Sequence, residues 1–184
     1  MINNSKKGTS FITVYDSFLS KITADMYLEL TAHDTYSLLQ ELLINAIPWF
    51  KLPRQNIYEY ELGYIEETEY CGVESNYVKV PATYWVDGSF YVNLSFDEIN
   101  ILSHFMVVEW LGQQLASTEN VRMRYTGSDF KMTSQANHMA KIKVIKEAYE
   151  KEANTLMDRY KRRKNVDGVI RSTLDEIMLP LDRE

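Results

Sequence analysis

The sequence is poor in the residue types that build disulfides, metal centres and phosphate-binding loops. Among 184 residues it has one cysteine, Cys71, three histidines, and seven glycines that are dispersed along the chain. One cysteine cannot form an internal disulfide, and with the scattered histidines it gives no zinc-ligand spacing. Neither of the common glycine-rich phosphate-binding motifs occurs. We therefore expect no metal, no cofactor and a reducing compartment.

Long apolar runs are missing too. No apolar stretch reaches the roughly 18 residues of a membrane span, and the first residues lack the apolar run of a secretion signal. Apolar residues make up 45% of the chain and charged residues 25%, which is typical of a globular protein with a buried core. The length favours a single domain. The missing apolar runs predict no membrane contact.

Residues suited to catalysis are few. His104 and Glu109 lie five positions apart, on different faces of a helix, so we expect His104 to be a packed or partly exposed helix residue. The acidic neighbourhood of Cys71 disfavours a reactive thiolate. A hydrolase built on the acidic cluster at Glu66, Glu67 and Glu69 would lack an organised nucleophile. We expect no enzymatic activity.

Charge is distributed unevenly along the chain. The formal net charge is −6, which argues against a protein whose main task is binding nucleic acid through phosphates. Ten acidic residues lie between Glu59 and Glu109, against Lys79 alone. Between Ser134 and Lys164, nine Lys and Arg outnumber four acids. This inversion suits self-assembly or the steering of a partner.

Three helices are predicted from apolar residues at helical spacing. The first begins at Asp34 as N-cap and continues to Phe50, with shorter helical turns before it in residues 14–22 and 25–30. The second follows a capping box, Ser95 with Glu98, and is expected to end near Ala116. The third runs over residues 134–164, about 45 Å, and its seam residues are expected to face the core. That seam consists of Ile142, Ile145, Tyr149, Leu156 and Tyr160, with Met139, Ala153 and Met157 beside it.

Between residues 56 and 94 the pattern changes to short runs rich in aromatic and β-branched residues. Residues 80–94 predict a hairpin that turns at Asp87–Gly88, because Asp-Gly accepts the positive φ of a two-residue turn. A second, more acidic hairpin or loop is expected in residues 58–80. The fold class is mainly α: a small helical bundle with a long C-terminal helix and a β-hairpin insertion, hence α+β in content.

The predicted domain organisation has three parts. Residues 1–10 are expected to form a flexible arm, residues 11–164 a helical domain with the insertion at 56–94, and residues 165–184 a terminal docking segment. The basic run at 159–164 has three interpretations: a helix end that complements the helix dipole, a contact with an acidic partner surface, or a contact with nucleic acid.

Residues 16–50, 94–152 and "YKRRK" at 160–164 together resemble the head–tail connector, or neck adaptor, proteins of tailed bacteriophages. The resemblance covers residues 11–164 and lies in helix order and phrase, without a catalytic signature. It implies a structural virion protein, assembled in the host cytoplasm, that forms a ring of typically twelve copies in the neck. Such a ring joins the portal protein to tail or stopper proteins and lets DNA pass through its lumen without sequence-specific binding.

The resemblance also implies candidate surfaces. Docking on the portal would fall to apolar residues of the terminal segment: Val169, Ile170, Leu174, Ile177, Met178 and Leu179. Subunit interfaces or the DNA bore would use charged residues: Glu59, Glu61, Glu66, Glu67, Glu69, Arg159, Lys161, Arg162, Arg163 and Lys164. The alternative is a small DNA-binding or regulatory protein that uses the basic stretches 122–131 and 159–164.

Overall fold

Helices dominate the chain, and a β-hairpin is inserted between two of them. The computed structural model describes residues 8–22, 30–68, 82–124, 132–166 and 169–171. The helices are α1 Phe11–Leu19, α2 Ala32–Ala46, α3 Phe96–Arg124 and α4 Met132–Arg162, with a 3₁₀ turn at Ile47–Trp49. The strands are β1 Tyr60–Glu61, β2 Tyr64–Thr68, β3 Ala82–Val86, β4 Ser89–Phe90, β5 Lys164–Val166 and β6 Val169–Arg171. The mainly α prediction with a β insertion is confirmed.

The central element is α3, against which α1, α2 and α4 all pack. Every residue from Ile101 to Val108 is buried, so this helix is surrounded over two turns. Its start follows the predicted capping box: Glu98 Oε2 accepts from the Ser95 amide at 2.7 Å and from the Ser95 hydroxyl at 2.8 Å. The helix ends at Arg124 rather than near Ala116, and no Gly or Pro in residues 117–124 interrupts it.

The start of α2 differs from the prediction by three residues. The N-cap is Thr31, whose hydroxyl accepts from the Asp34 amide at 3.2 Å, so Asp34 lies inside the first turn. There its carboxylate accepts from the Thr31 hydroxyl at 2.6 Å and complements the helix dipole. Of the two earlier helical turns, the first is part of α1, and the second lies mostly outside the described residues.

One long hairpin replaces the predicted turn at Asp87–Gly88. β1 pairs with β4 and β2 with β3, both antiparallel and in one continuous register from Tyr60↔Phe90 to Thr68↔Ala82. Asp87 and Gly88 therefore interrupt one arm of this hairpin, and the connection lies within residues 69–81, outside the description. The prediction of a two-residue turn there was wrong, because the Asp87 carboxylate instead accepts hydrogen bonds from Ser10 and Ile12 at the start of α1.

The Asp87 carboxylate caps α1 from a distant part of the chain. Its Oδ2 accepts from the Ile12 amide at 3.2 Å and from the Ser10 hydroxyl. Residues 8–10 of the predicted arm lie against β4, where the Gly8 amide donates to Phe90 O at 2.9 Å. The Phe11 amide donates to Gly88 O at 2.9 Å. These bonds fix the first turn of α1 on the hairpin base; residues 1–7 of the predicted arm lie outside the description.

The long helix α4 has 31 residues, close to the predicted span, and is about 46 Å long. Ala153, Met157 and Tyr160 are buried, and Ile142, Tyr149 and Leu156 pack partly on the same core. Ile145, predicted to lie in this seam, is 46% exposed. Lys164 belongs to β5, so the helix ends two residues earlier than expected.

Candidate functional site

The insertion is fixed to α2 at two points. The Gln40 side chain accepts from the Gly63 amide at 2.7 Å and donates to the Gly63 carbonyl at 3.4 Å. Gly63 lies where the strand ladder is interrupted, so Gln40 supplies partners that the facing strand does not. Further along the hairpin, Trp85 stacks on Tyr36 of α2, with ring centroids 5.6 Å apart. The hairpin is therefore a positioned element with one side on α2.

Two glycines, Gly63 and Gly88, lie where the ladder is interrupted, and there the two backbones are close together. A Cβ atom on Gly88 would lie 2.6 Å from Glu61 O, and one on Gly63 would lie 2.8 Å from Val86 O. Both distances are too short for any side chain, so glycine is required for the close approach of the two backbones. The two glycines thus allow the backbone geometry from which the outer part of the hairpin, β2 and β3, continues.

The hairpin face that points away from α2 is aromatic and acidic. Tyr64 pairs with Val86 and Glu66 with Tyr84 across the strands, so these four side chains share one face. Tyr64 is 50% exposed and Tyr84 45% exposed. The Tyr84 hydroxyl donates to Glu66 Oε2 at 2.7 Å, and this bond raises the Tyr84 pKa. We call Tyr64, Glu66, Tyr84 and Val86 the ribbon face.

The other predicted acidic residues are partly placed. Glu59 and Glu61 are exposed at the base of the hairpin, and Glu59 Oε1 accepts from the Asn56 side chain at 2.8 Å. Glu67 lies in β2, but its side chain is outside the description, as is the whole of Glu69. The structure thus places Glu59, Glu61 and Glu66 along one arm of a hairpin whose other arm is residues 82–90, rather than in a separate hairpin within residues 58–80.

A buried polar network joins the start of α3 to the end of α4. The Tyr160 hydroxyl donates to Glu98 Oε1 at 2.6 Å and accepts from the Arg54 amide at 2.9 Å. The Arg54 guanidinium lies over the Tyr160 ring, 4.3 Å from its centroid, and donates to Tyr160 O at 2.7 Å. Burial and the hydrogen bond to Glu98 raise the Tyr160 pKa, so its hydroxyl stays protonated as a donor.

The predicted basic run lies next to this network. Arg163 forms an ion pair with Asp97 at the start of α3, and Lys161 lies 3.7 Å from Asp158 on its own helix. Arg159 and Arg162 are exposed. Of Lys164, only the backbone in β5 is described. Arg162 Nε also donates to Asp158 O at 3.2 Å, so Lys161, Arg162 and Arg163 all make contacts within the chain while remaining exposed.

An apolar groove lies on the outer side of α4, which the sequence analysis missed. Val144 is 65% exposed, and next to it the exposed Ile145 extends the apolar surface. With Asn137, Ala140 and Lys141 they are the described residues that line a groove of about 530 Å³. We call these five residues the α4 groove. Helical spacing could have shown it, since Ala140 and Val144 are four residues apart outside the core seam.

Of the two expected placements of His104, packed or partly exposed, the structure shows the packed one, within a polar cluster where α1, α3 and α4 meet. Its Nδ1 lies 2.7 Å from Asn100 O and must carry the proton, because a carbonyl only accepts. Its Nε2 is 3.7 Å from Glu152. Burial lowers the pKa of His104, and the nearby Lys21 ammonium lowers it further, while Asn100 and Glu152 partly oppose this.

The remaining predicted residues lie largely outside the description. Val169 and Ile170 are in β6 without described side chains, and Leu174, Ile177, Met178 and Leu179 lie beyond the last described residue. Of the basic stretch 122–131, the backbone of 122–124 continues α3 and the rest is not described. These portal-docking and DNA-binding assignments stay predictions.

In the part of the chain that the structure describes, no group of three or more His, Cys, Asp or Glu side chains is placed to hold a metal ion. Of the helices in the described ranges, none is both long and apolar enough to cross a bilayer. Comparison with models of known protein families, with curated proteins and with solved structures gave no match for this chain.

Proposed function

We propose that this chain is a structural subunit of a bacteriophage neck, where copies form a ring that joins the portal to the tail and lets DNA pass. The observation that carries the proposal is the exposed apolar surface on the outer side of α4. A helix of 31 residues packs its inner seam on the core and exposes Val144 and Ile145 on a rigid outer surface. Exposed apolar side chains that line a groove favour a protein contact there.

The distribution of charge supports repeated, head-to-tail association. The hairpin carries exposed Glu59 and Glu61, whereas the end of α4 carries exposed Arg159 and Arg162. A ring subunit presents one surface to the copy before it and a different surface to the copy after it. Opposite charges on the two surfaces help to set the register of such a contact.

Passage of DNA is compatible with the acidic hairpin. Acidic side chains that face a lumen repel the phosphate backbone and leave DNA free to slide, whereas a basic lumen would hold it. We propose that the acidic residues of the hairpin face either the lumen or a basic neighbour. The proposed role is structural and requires no catalysis and no cofactor.

Portal binding is assigned to the terminal segment, residues 165–184, because apolar residues alternate there with charged ones. Ile177→Asp should abolish the complex with a portal ring, since it places a charge among the docking residues. Ser172→Asp introduces the same charge at a polar position and is the matched control. Equal portal binding by both variants would remove this assignment.

Native mass spectrometry of the full chain, alone and mixed with a portal ring, tests the proposal as a whole. A closed ring, or a stoichiometric complex with the portal, supports the neck function. A monomer that ignores the portal but binds DNA with strong salt dependence would instead favour the DNA-binding alternative through 122–131 and 159–164. A monomer that binds neither would reject the neck function outright.

A further inference from the structure

The ribbon face and the α4 groove are complementary in chemistry. The ribbon face carries two exposed tyrosines and an acid, Glu66. The α4 groove carries two exposed aliphatic side chains, Val144 and Ile145, and one cation, Lys141. Tyrosine rings packed against apolar side chains are typical anchors of protein interfaces. A carboxylate beside an ammonium at the edge of such a contact sets its register.

The two surfaces belong to different parts of the chain. The hairpin is held on α2 by Gln40 and by the stack of Tyr36 on Trp85. The groove lies on α4, whose inner residues Ile142 and Tyr149 pack on the core. Each surface is therefore held in place by residues other than its own exposed side chains.

We infer that the ribbon face of one copy docks in the α4 groove of the next copy. The partner is a second copy of this chain, with Tyr64 and Tyr84 of one copy against Val144 and Ile145 of its neighbour. Glu66 then lies beside Lys141. The contact is heterologous, so each copy offers both halves and the contact repeats until a ring closes. This inference rests on the proposed function and names the interface that the ring uses.

The contact explains two features that the fold alone does not require. An exposed pair of tyrosines on a hairpin and exposed aliphatic residues on a charged helix both place apolar surface in water. Docking of one on the other removes both surfaces from water. It also gives the insertion and the outer side of α4 one common role.

Cysteine crosslinking between two full-length variants tests the inference. In a Cys71→Ser background, one copy carries Tyr84→Cys and the other carries Val144→Cys, so a mixed disulfide can form only between copies. Thr155→Cys is the control partner, because it lies on nearly the same side of α4 but about 16 Å further along. We expect the mixed disulfide with Val144→Cys to form at least about tenfold faster than with Thr155→Cys, since disulfides need closely placed Cβ atoms.

A charge exchange gives an independent readout. Lys141→Glu alone and Glu66→Lys alone should each reduce association, measured by native mass spectrometry, about tenfold. The double variant should restore it, because every copy then offers an exchanged pair. Circular dichroism checks that each variant is folded.

The outcomes separate this inference from the proposed function. Copies that associate but crosslink equally at Thr155, or only through Val144 with Val144 in a symmetric pair, would overturn the inference and leave the ring standing. Copies that do not associate at any concentration, with or without the portal, would overturn both. A selective Tyr84–Val144 crosslink together with charge rescue supports both.

Discussion

The hydroxyl of Tyr160 donates a 2.6 Å hydrogen bond to the Glu98 carboxylate, and both residues are buried. The same carboxylate accepts from the Ser95 amide through its other oxygen. The Glu98 side chain therefore caps α3 and also accepts a hydrogen bond from the last turn of α4. This relationship ties the basic end of the long helix to the centre of the bundle.

Removal of the hydroxyl alone should be costly. Tyr160→Phe leaves one oxygen of a buried carboxylate without its donor, and we expect a loss of about 2 kcal/mol in the free energy of unfolding. Urea denaturation measures this loss. Tyr149→Phe is the control, because its hydroxyl makes a longer bond of 3.2 Å to Lys21 O in a less buried place. A Tyr160→Phe variant no less stable than Tyr149→Phe would contradict the assigned role.

The capping of α1 by Asp87 gives a second prediction. Asp87→Ala removes the acceptor for the Ile12 amide and the negative charge at the helix start, at a cost of about 1–2 kcal/mol. Asp87→Asn keeps an acceptor but not the charge and should cost less. Asp16→Ala, an exposed acid near the other end of α1, should be close to neutral. Hydrogen exchange at the Ile12 amide should accelerate in Asp87→Ala only; an unchanged rate would count against the cap.

Local sequence signals identified the elements whose stabilising contacts are themselves local. Ser95 and Glu98 lie within one turn, so their capping box is visible in the sequence and the structure confirms it. The long apolar seam of α4 likewise predicted a helix of nearly the correct span. The mainly α fold with a β insertion follows from such patterns.

Structural features that depend on residues distant in the sequence could not be predicted in the same way. Asp-Gly is a strong turn signal, but Asp87 is held by Ser10 and Ile12, some 75 residues away in sequence. Ile145 fits the seam by spacing, yet the helix is rotated so that Ile142 and Tyr149 face the core and Ile145 does not. The ion pair of Arg163 with Asp97 also joins distant residues, so spacing along the helix could not predict it.

The attachment of the hairpin to α2 gives a third prediction. Gln40→Ala leaves the buried Gly63 amide without its acceptor, which should cost about 1–2 kcal/mol and loosen the outer hairpin. Gln40→Glu can accept from the Gly63 amide but cannot donate to its carbonyl, so its effect should be smaller. Glu41→Ala changes the exposed neighbour and is the control. Hydrogen exchange of Tyr64 and Trp85 amides measures the loosening; equal protection in Gln40→Ala and Glu41→Ala would refute it.

The last prediction concerns acid stability and follows from the environment of His104. The groups that face it are Asn100 on its own helix, Lys21 at the end of α1, and Tyr149 and Glu152 on α4. Burial is the largest effect and lowers the pKa of His104 in the folded chain, whereas in the unfolded chain the pKa is near the ordinary value of about 6.5. The unfolded chain therefore binds this proton at a higher pH than the folded chain does.

It follows that the contribution of His104 to stability is complete above pH ~6.5 and declines as the pH falls toward the folded-state pKa. His104→Gln should flatten this decline, so between pH 7 and 5 the variant should lose less free energy of unfolding than the parent protein. Glu152→Gln removes a group that raises the His104 pKa and should steepen the decline. His138→Gln, an exposed histidine on α4, is the control and should follow the parent protein. Chemical denaturation at several pH values compares the slopes, and parallel slopes for His104→Gln and His138→Gln would show that burial of His104 does not govern acid stability.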